Sequence, residues 1–152
     1  MTRGRRLLQE RVRRVRVLFR ELGYRTTAAE RSGESYSAAF TGPAGAQGGL
    51  FIEKDSRFLE IGYTFSFSPS LADFVKARLE QIMSAAYEFG CYPNVAAGGP
   101  EIALSVFTKI YFSGLGYSAL RDTLRDFNLC VEAITGILEI EGGDEDEGGA
   151  SG

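Results

Sequence analysis

The sequence contains no histidine, and this absence excludes several functions at once. Histidine is the usual general base near neutral pH and the commonest metal ligand, so Ser-His and Cys-His catalytic pairs and most transition-metal sites are ruled out. We therefore expect that the chain is not an enzyme and that it has no catalytic residue, no metal ion and no cofactor.

Cysteine is scarce as well, since the chain carries only Cys91 and Cys130. Two cysteines without a Cys-x-x-Cys pair are too few for a disulfide framework, so both are expected to be reduced thiols. Cys130 lies within an apolar helical pattern and is interpreted as buried. Cys91 follows Gly90 in a turn, and the sequence leaves its exposure and reactivity open.

Long apolar runs are also missing. No run approaches the roughly 18–20 residues that a membrane-spanning helix needs. Residues 1–20 lack the apolar segment that is typical of a secretory signal. We expect a cytoplasmic protein that does not contact a membrane.

Charge is abundant, and each end of the chain carries mostly one sign. The net charge is −3, but residues 1–22 carry eight arginines and residues 139–147 carry six acidic residues. The acidic, glycine-rich residues 142–152 are predicted to be a disordered tail on a single domain over residues 1–141.

The arginines near the start allow three interpretations. The first is binding to nucleic-acid phosphates, the second is docking on an acidic protein surface or on the chain's own tail, and the third is a solvated basic face without a ligand. The pI of about 5.1 and the lack of basic clusters beside aromatic strand residues disfavour nucleic acid.

The spacing of apolar residues predicts the elements. A stripe with spacings of four and three predicts a helix over about 5–22, ended by Gly23; it consists of Leu8, Val12, Val15, Phe19 and Leu22. Alternation predicts strands near 36–40, 50–52 and 59–67, then a helix over 70–90. A weak strand at 95–97, a strand over 101–113 and a helix over 118–139 follow.

This order predicts an α+β fold, an antiparallel sheet of about five strands with three helices in the order α-β-β-β-α-β-β-α. The strand over 101–113 is apolar on both faces, so we expect a helix or a second subunit to cover it. Residues 42–49 are rich in glycine but lead into a strand without Lys-Ser or Lys-Thr, which indicates a hairpin loop and not a phosphate loop. Glu53, Asp55 and the acidic tail lack calcium-loop spacing.

The element order, length and acidity over residues 5–140 resemble the class I type III secretion chaperones and the YbjN-like domains that share their fold. This resemblance implies a small bacterial protein that is catalytically silent and commonly dimeric. The arginine-rich first helix and the acidic tail depart from both families, so the identity of the partner is left open.

We therefore predict a protein-binding module of chaperone or regulatory type that acts as a homodimer. In this hypothesis an extended client segment adds to a sheet edge at residues 36–40 and enters a groove beside the first helix. The predicted groove residues are Val12, Val15, Phe19, Tyr36 and Phe40. The alternative is that the same side chains close the core.

The predicted dimer interface is the long strand with Phe107 and Tyr111 as its aromatic anchors. Two other functions stay open. One is a nucleic-acid-associated protein that uses the first helix. The other is an enzyme without histidine, with Cys91 beside Glu88 or Glu60 beside Asp55 as candidates.

Overall fold

A computed structural model describes the chain from residue 3 to residue 148, and the side chains of these residues except 28–31 and 140–148. It contains four α-helices: α1 (Arg3–Glu21), α2 (Ala72–Lys76), α3 (Leu79–Glu88) and α4 (Tyr117–Gly148). It also contains six strands: β1 (Arg25–Arg31), β2 (Ser35–Thr41), β3 (Gln47–Glu53), β4 (Phe58–Phe67), β5 (Tyr92–Ala96) and β6 (Ile102–Tyr111).

The strands form one antiparallel sheet in the order β1-β2-β3-β4-β6-β5. The predicted α+β class is therefore confirmed, with one strand and one helix more than expected. The chain divides into two compact units, which are Met1–Tyr63 with Phe107–Arg125, and Thr64–Val106 with Asp126–Gly152. The single domain predicted over residues 1–141 stays a prediction.

The additional strand is β1, which pairs antiparallel with β2 from Arg25 opposite Thr41 to Arg31 opposite Tyr36. Its sequence, RTTAAER, has no apolar alternation, so periodicity could not reveal it. Threonine favours strands, and charged ends and a bulge are common on edge strands. A register shift between Ala28 and Glu30 supplies that bulge.

The first unit has its core between α1 and the sheet. Leu8, Val12, Val15 and Phe19 are the buried side chains of α1, as the periodicity predicted. They are accompanied by the inward side chains of the strands: Tyr36, Ala38, Phe40, Leu50, Ile52, Leu59 and Ile61. Gly23 ends the helix with a φ of 90°, a conformation that glycine adopts without a Cβ penalty.

The second unit contains a break between two helices that the apolar pattern did not predict. The single helix predicted over 70–90 is two helices, because Ala77 and Arg78 separate α2 from α3. The guanidinium of Arg78 donates to the carbonyl oxygen of Phe74 at 2.7 Å and lies 3.8 Å from the centre of its ring. This side chain therefore satisfies a carbonyl that the break leaves without a helical partner.

Helix α4 begins where the sequence predicted but continues further. Its backbone is helical through Gly148, although residues 142–148 were predicted to belong to the disordered tail. Glutamate is a good helix former, and that propensity acts against the two glycines at 142 and 143. The rest of the predicted tail, residues 149–152, lies outside the described residues.

Candidate partner-binding site

The structure places all five predicted groove residues in the core of the first unit. All five side chains are between 0% and 1% exposed; they are Val12, Val15, Phe19, Tyr36 and Phe40. The predicted edge at residues 36–40 is also wrong, because β2 lies between β1 and β3. The groove interpretation therefore needs correction: these side chains close the core, and the edge strand is β1.

Two groups can be distinguished among the arginines of α1 and β1, and the first group, Arg11 and Arg14 of α1, packs on loops. Arg11 donates to the carbonyl oxygen of Ser56 at 2.7 Å, and its guanidinium lies 4.2 Å from the centre of the Phe112 ring. Burial lowers the pKa of Arg11. Arg14 donates to the carbonyl oxygen of Leu115. These two arginines tie α1 to neighbouring loops.

The second group of arginines lines a groove of about 670 Å³ between α1 and the start of β1. We call it the arginine groove. Its polar and charged lining residues are Gln9, Arg13, Arg16, Arg20, Tyr24, Arg25 and Thr26, and the side chains of Val12 and Val17 complete the wall. Gln9, Arg13, Arg16 and Arg20 recur at spacings of four, three and four, which places them on one stripe of the helix.

Positive charge predominates among the described side chains that line the arginine groove. Among the side chains that the structure describes, Arg13, Arg16, Arg20 and Arg25 have no ion-pair partner. All four are exposed. Four like charges along one groove repel one another in the free protein, so an anionic ligand is favoured there over a neutral one.

Tyr24 fixes the floor of the arginine groove. Its ring makes edge contacts with Phe19 and Phe40, with centroids 5.6 Å apart in each pair. Glycine is required at position 42, because a Cβ there would collide with the Tyr24 ring. The floor of the groove is therefore anchored to the aromatic core.

A second exposed surface lies on the sheet face opposite the buried strand residues of the first unit. We call it the aromatic face, and it consists of Phe51, Phe58, Phe107, Lys109 and Tyr111. Phe58 and Tyr111 pack edge to face with centroids 5.8 Å apart, and the ammonium of Lys109 lies 4.7 Å from the Phe58 centroid. Phe51 is 38% exposed and Tyr111 is 50% exposed. The two predicted dimer residues therefore share one surface.

The two cysteines lie together in the second unit and both are buried. A hydrogen bond to the Cys130 thiol, together with burial, raises the pKa of Cys91 far above its ordinary value. Glu88, its candidate partner in the enzyme hypothesis, is exposed. A thiol that stays protonated is a poor nucleophile, so this arrangement gives the thiol hypothesis no support.

Three further features were considered as sites: the glycine-rich segment, the potential metal ligands and a second groove. The glycine-rich residues 42–49 form a turn, Pro43–Gly45, and the first part of β3, as the hairpin interpretation predicted. Within the described residues, no three potential metal ligands lie together. A groove of about 680 Å³ between α3 and α4 is lined by three glutamates, Glu80, Glu88 and Glu132, together with Gln81, Ile137 and small side chains. No feature there indicates a ligand.

Known proteins resemble the chain in structure and not in sequence. No family model and no curated protein matches it. An uncharacterized protein from Methanothermobacter thermautotrophicus matches with a TM-score of 0.64 at 15% identity, covering 84% of this chain and 96% of that one. YbjN from E. coli, described as a proposed transcription regulator, matches with a TM-score of 0.56 at 12% identity, covering 86% and 91%.

The chain has the YbjN-like fold. Likenesses at this level of identity show the fold alone, so the YbjN-like part of the resemblance is confirmed as a fold. The type III secretion chaperone part stays a prediction. No helix among the described residues is both long enough and apolar enough to cross a membrane.

Within this YbjN-like fold, the sequence indicates the arginines of α1 but not the groove that they line. The helical spacing of Arg13, Arg16 and Arg20 indicates that they lie on one stripe of α1. The opposite wall comes from β1, whose Arg25 belongs to a segment without a strand pattern. The groove could therefore not be predicted from the sequence, because one of its walls belongs to a strand that the apolar pattern does not indicate.

Proposed function

We propose that this chain is a non-catalytic protein-binding module of chaperone or regulatory type that acts in the cytoplasm. The observation that carries the proposal is the arginine groove, in which four exposed guanidinium groups face a common space without a carboxylate partner in the described side chains. Arginine is enriched where proteins recognise carboxylates, because its planar group donates two parallel hydrogen bonds.

A protein partner suits this groove better than a nucleic acid. Binding to single-stranded nucleic acid combines phosphate contacts with aromatic rings on which bases stack. Among the described lining residues, Tyr24 supplies the one aromatic ring, and it already packs against Phe19 and Phe40. The unpaired side of β1 offers main-chain groups, which a peptide can use and a nucleic acid cannot.

Charge reversal in the groove is expected to abolish partner capture. In a pull-down from native cytosol, the wild-type protein should recover a specific protein that Arg16→Glu does not. Arg6→Glu is the matched control, because Arg6 is an exposed arginine of α1 outside the groove lining. Mass spectrometry identifies the recovered protein, and circular dichroism checks that both variants are folded.

Two results of this pull-down would contradict the proposal. A partner that is recovered equally by the wild type and by Arg16→Glu would move the binding site away from the arginine groove. Recovery of nucleic acid in place of protein, with the same dependence on Arg16, would replace the protein-binding function with a nucleic-acid one.

The proposed module acts as a homodimer through the aromatic face. Exposed aromatic clusters of this kind are typical of protein interfaces, and aromatic residues contribute most of the binding free energy there. A second copy is the proposed occupant of the face, because Phe51 and Tyr111 are exposed on it and Phe58 packs against Tyr111.

Phe107→Asp and Tyr111→Asp are each expected to convert the dimer into a monomer. A carboxylate at an aromatic anchor costs roughly 2 kcal/mol or more, which raises the dimer dissociation constant about 30-fold or more. Sedimentation at tens of micromolar measures the change. Tyr87→Asp is the control, because Tyr87 is an exposed aromatic residue of α3. A wild-type protein that sediments as a monomer at this concentration would end the dimer proposal.

A further inference from the structure

The arginine groove has the length of a short extended peptide. Its helical wall runs from Gln9 to Arg20, which at 1.5 Å per residue is about 16 Å. An extended chain advances about 3.3 Å per residue, so about five residues of such a chain span the groove. A folded domain or a single amino acid would match this length less well.

The arginines are spaced somewhat more closely than alternate residues of such a chain, and their long, flexible side chains can cover the difference. Arg13, Arg16 and Arg20 are separated by about 4.5 and 6 Å along the helix axis. Side chains on one face of a strand recur about every 6.6 Å. Carboxylates at every second residue of an extended segment would therefore meet successive arginines, whereas consecutive carboxylates would point to opposite faces.

The opposite wall supplies a place for the main chain of the ligand. β1 is the terminal strand of the sheet and pairs with β2 on one side. An edge strand presents N–H and C=O groups that an added strand can pair with. Arg25 and Thr26, at the beginning of this strand, line the groove.

We infer that the arginine groove binds an extended acidic segment of a partner protein, which adds to the edge of β1 as a seventh strand. The inference rests on the proposed protein-binding function and specifies its ligand. Three carboxylates, at alternate positions, pair with Arg13, Arg16 and Arg20 of α1, and Arg25 adds positive charge from the opposite wall. The chain's own acidic residues 142–147 do not supply this segment, because their backbone is helical and not extended.

The probe for this inference is a fluorescein-labelled octapeptide of alternating valine and glutamate, titrated with the full-length protein and followed by fluorescence anisotropy. Arg13→Glu and Arg16→Glu are each expected to weaken binding about tenfold or more, since each replaces an attractive charge with a repulsive one. Arg6→Glu should leave binding unchanged. An alternating valine and lysine peptide should not bind.

Two N-methylated forms of the same peptide separate strand addition from charge attraction. One carries methyl groups on the valine nitrogens and the other on the glutamate nitrogens, and both keep every carboxylate. Successive residues of a strand direct their N–H groups to opposite edges, so one form should lose about tenfold in affinity or more while the other keeps it. Equal binding of both forms and the parent would overturn strand addition.

The remaining outcomes distinguish this inference from the broader proposal. If the lysine peptide binds as well as the glutamate peptide, the acidic ligand is wrong, while an Arg16-dependent protein partner in the pull-down would keep the module. If a 20-nucleotide single strand binds with dependence on Arg16 and the glutamate peptide does not, both the inference and the protein-binding function are overturned.

Discussion

Val15→Glu is expected to unfold the protein or to leave it only marginally folded. Val15 is 0% exposed and lies in the middle of the apolar stripe of α1. Burial raises the pKa of a glutamate carboxyl strongly, and protonating the group at pH 7 then costs about 3.5 kcal/mol. Burying the neutral carboxyl without a hydrogen-bond partner adds about 1–3 kcal/mol. The extra side-chain volume adds to this cost. Typical domains have about 5–15 kcal/mol of stability in total.

Arg13→Glu is the control for this substitution. It places the same glutamate two positions away on the same helix, where the side chain is exposed. Far-ultraviolet circular dichroism and urea unfolding should show a folded control and an unfolded or strongly destabilised Val15→Glu protein. A Val15→Glu protein with the midpoint of the wild type would show that α1 does not pack on the sheet in solution.

The residues of α1 show what a periodic pattern can and cannot determine. The spacing of Val12, Val15 and Phe19 located the helix and its apolar stripe, and the structure confirms both. The same spacing is compatible with a stripe that covers the core and with one that lines a client groove. Burial decides between these interpretations, and it depends on the strands that pack against the stripe, which periodicity alone does not arrange.

The strand β6 shows the converse case, in which the sequence pattern located a partly exposed aromatic surface. Its two faces are both apolar in sequence, which predicted that something covers each of them. Ile102, Leu104 and Val106 are buried on one face, while Tyr111 on the other is half exposed. The pattern thus placed Phe107 and Tyr111 on one surface, and their role in a dimer stays a prediction.

The elements that the sequence analysis missed are those whose stabilisation comes from other parts of the chain. β1 has no apolar face of its own and is held by its pairing with β2. The break between α2 and α3 is different: it contains no proline or glycine, and the contact that accompanies it joins Arg78 to Phe74 on the same short segment. The pairing of β1 follows from tertiary structure, so a local pattern carries little information about it.

Phe40→Ala is expected to cost about 3–5 kcal/mol of unfolding free energy, the range for removing a buried aromatic side chain. Phe40 is 1% exposed, and its ring lies 5.4 Å from that of Phe19 and 5.6 Å from that of Tyr24. Aromatic pairs at such distances contribute beyond their buried area. The ring therefore stabilises both the attachment of α1 and the floor of the arginine groove.

Phe51→Ala on the neighbouring strand β3 is the matched control. Phe51 is 38% exposed on the aromatic face, so its truncation should cost about 1 kcal/mol or less. Urea unfolding of both variants at low micromolar concentration, where a dimer contributes least, measures the difference between them. The octapeptide affinity of Phe40→Ala should also fall, because Tyr24 loses a ring that holds it in place. Equal costs for the two variants would mean that the cluster of Phe19, Tyr24 and Phe40 does not form the centre of the core.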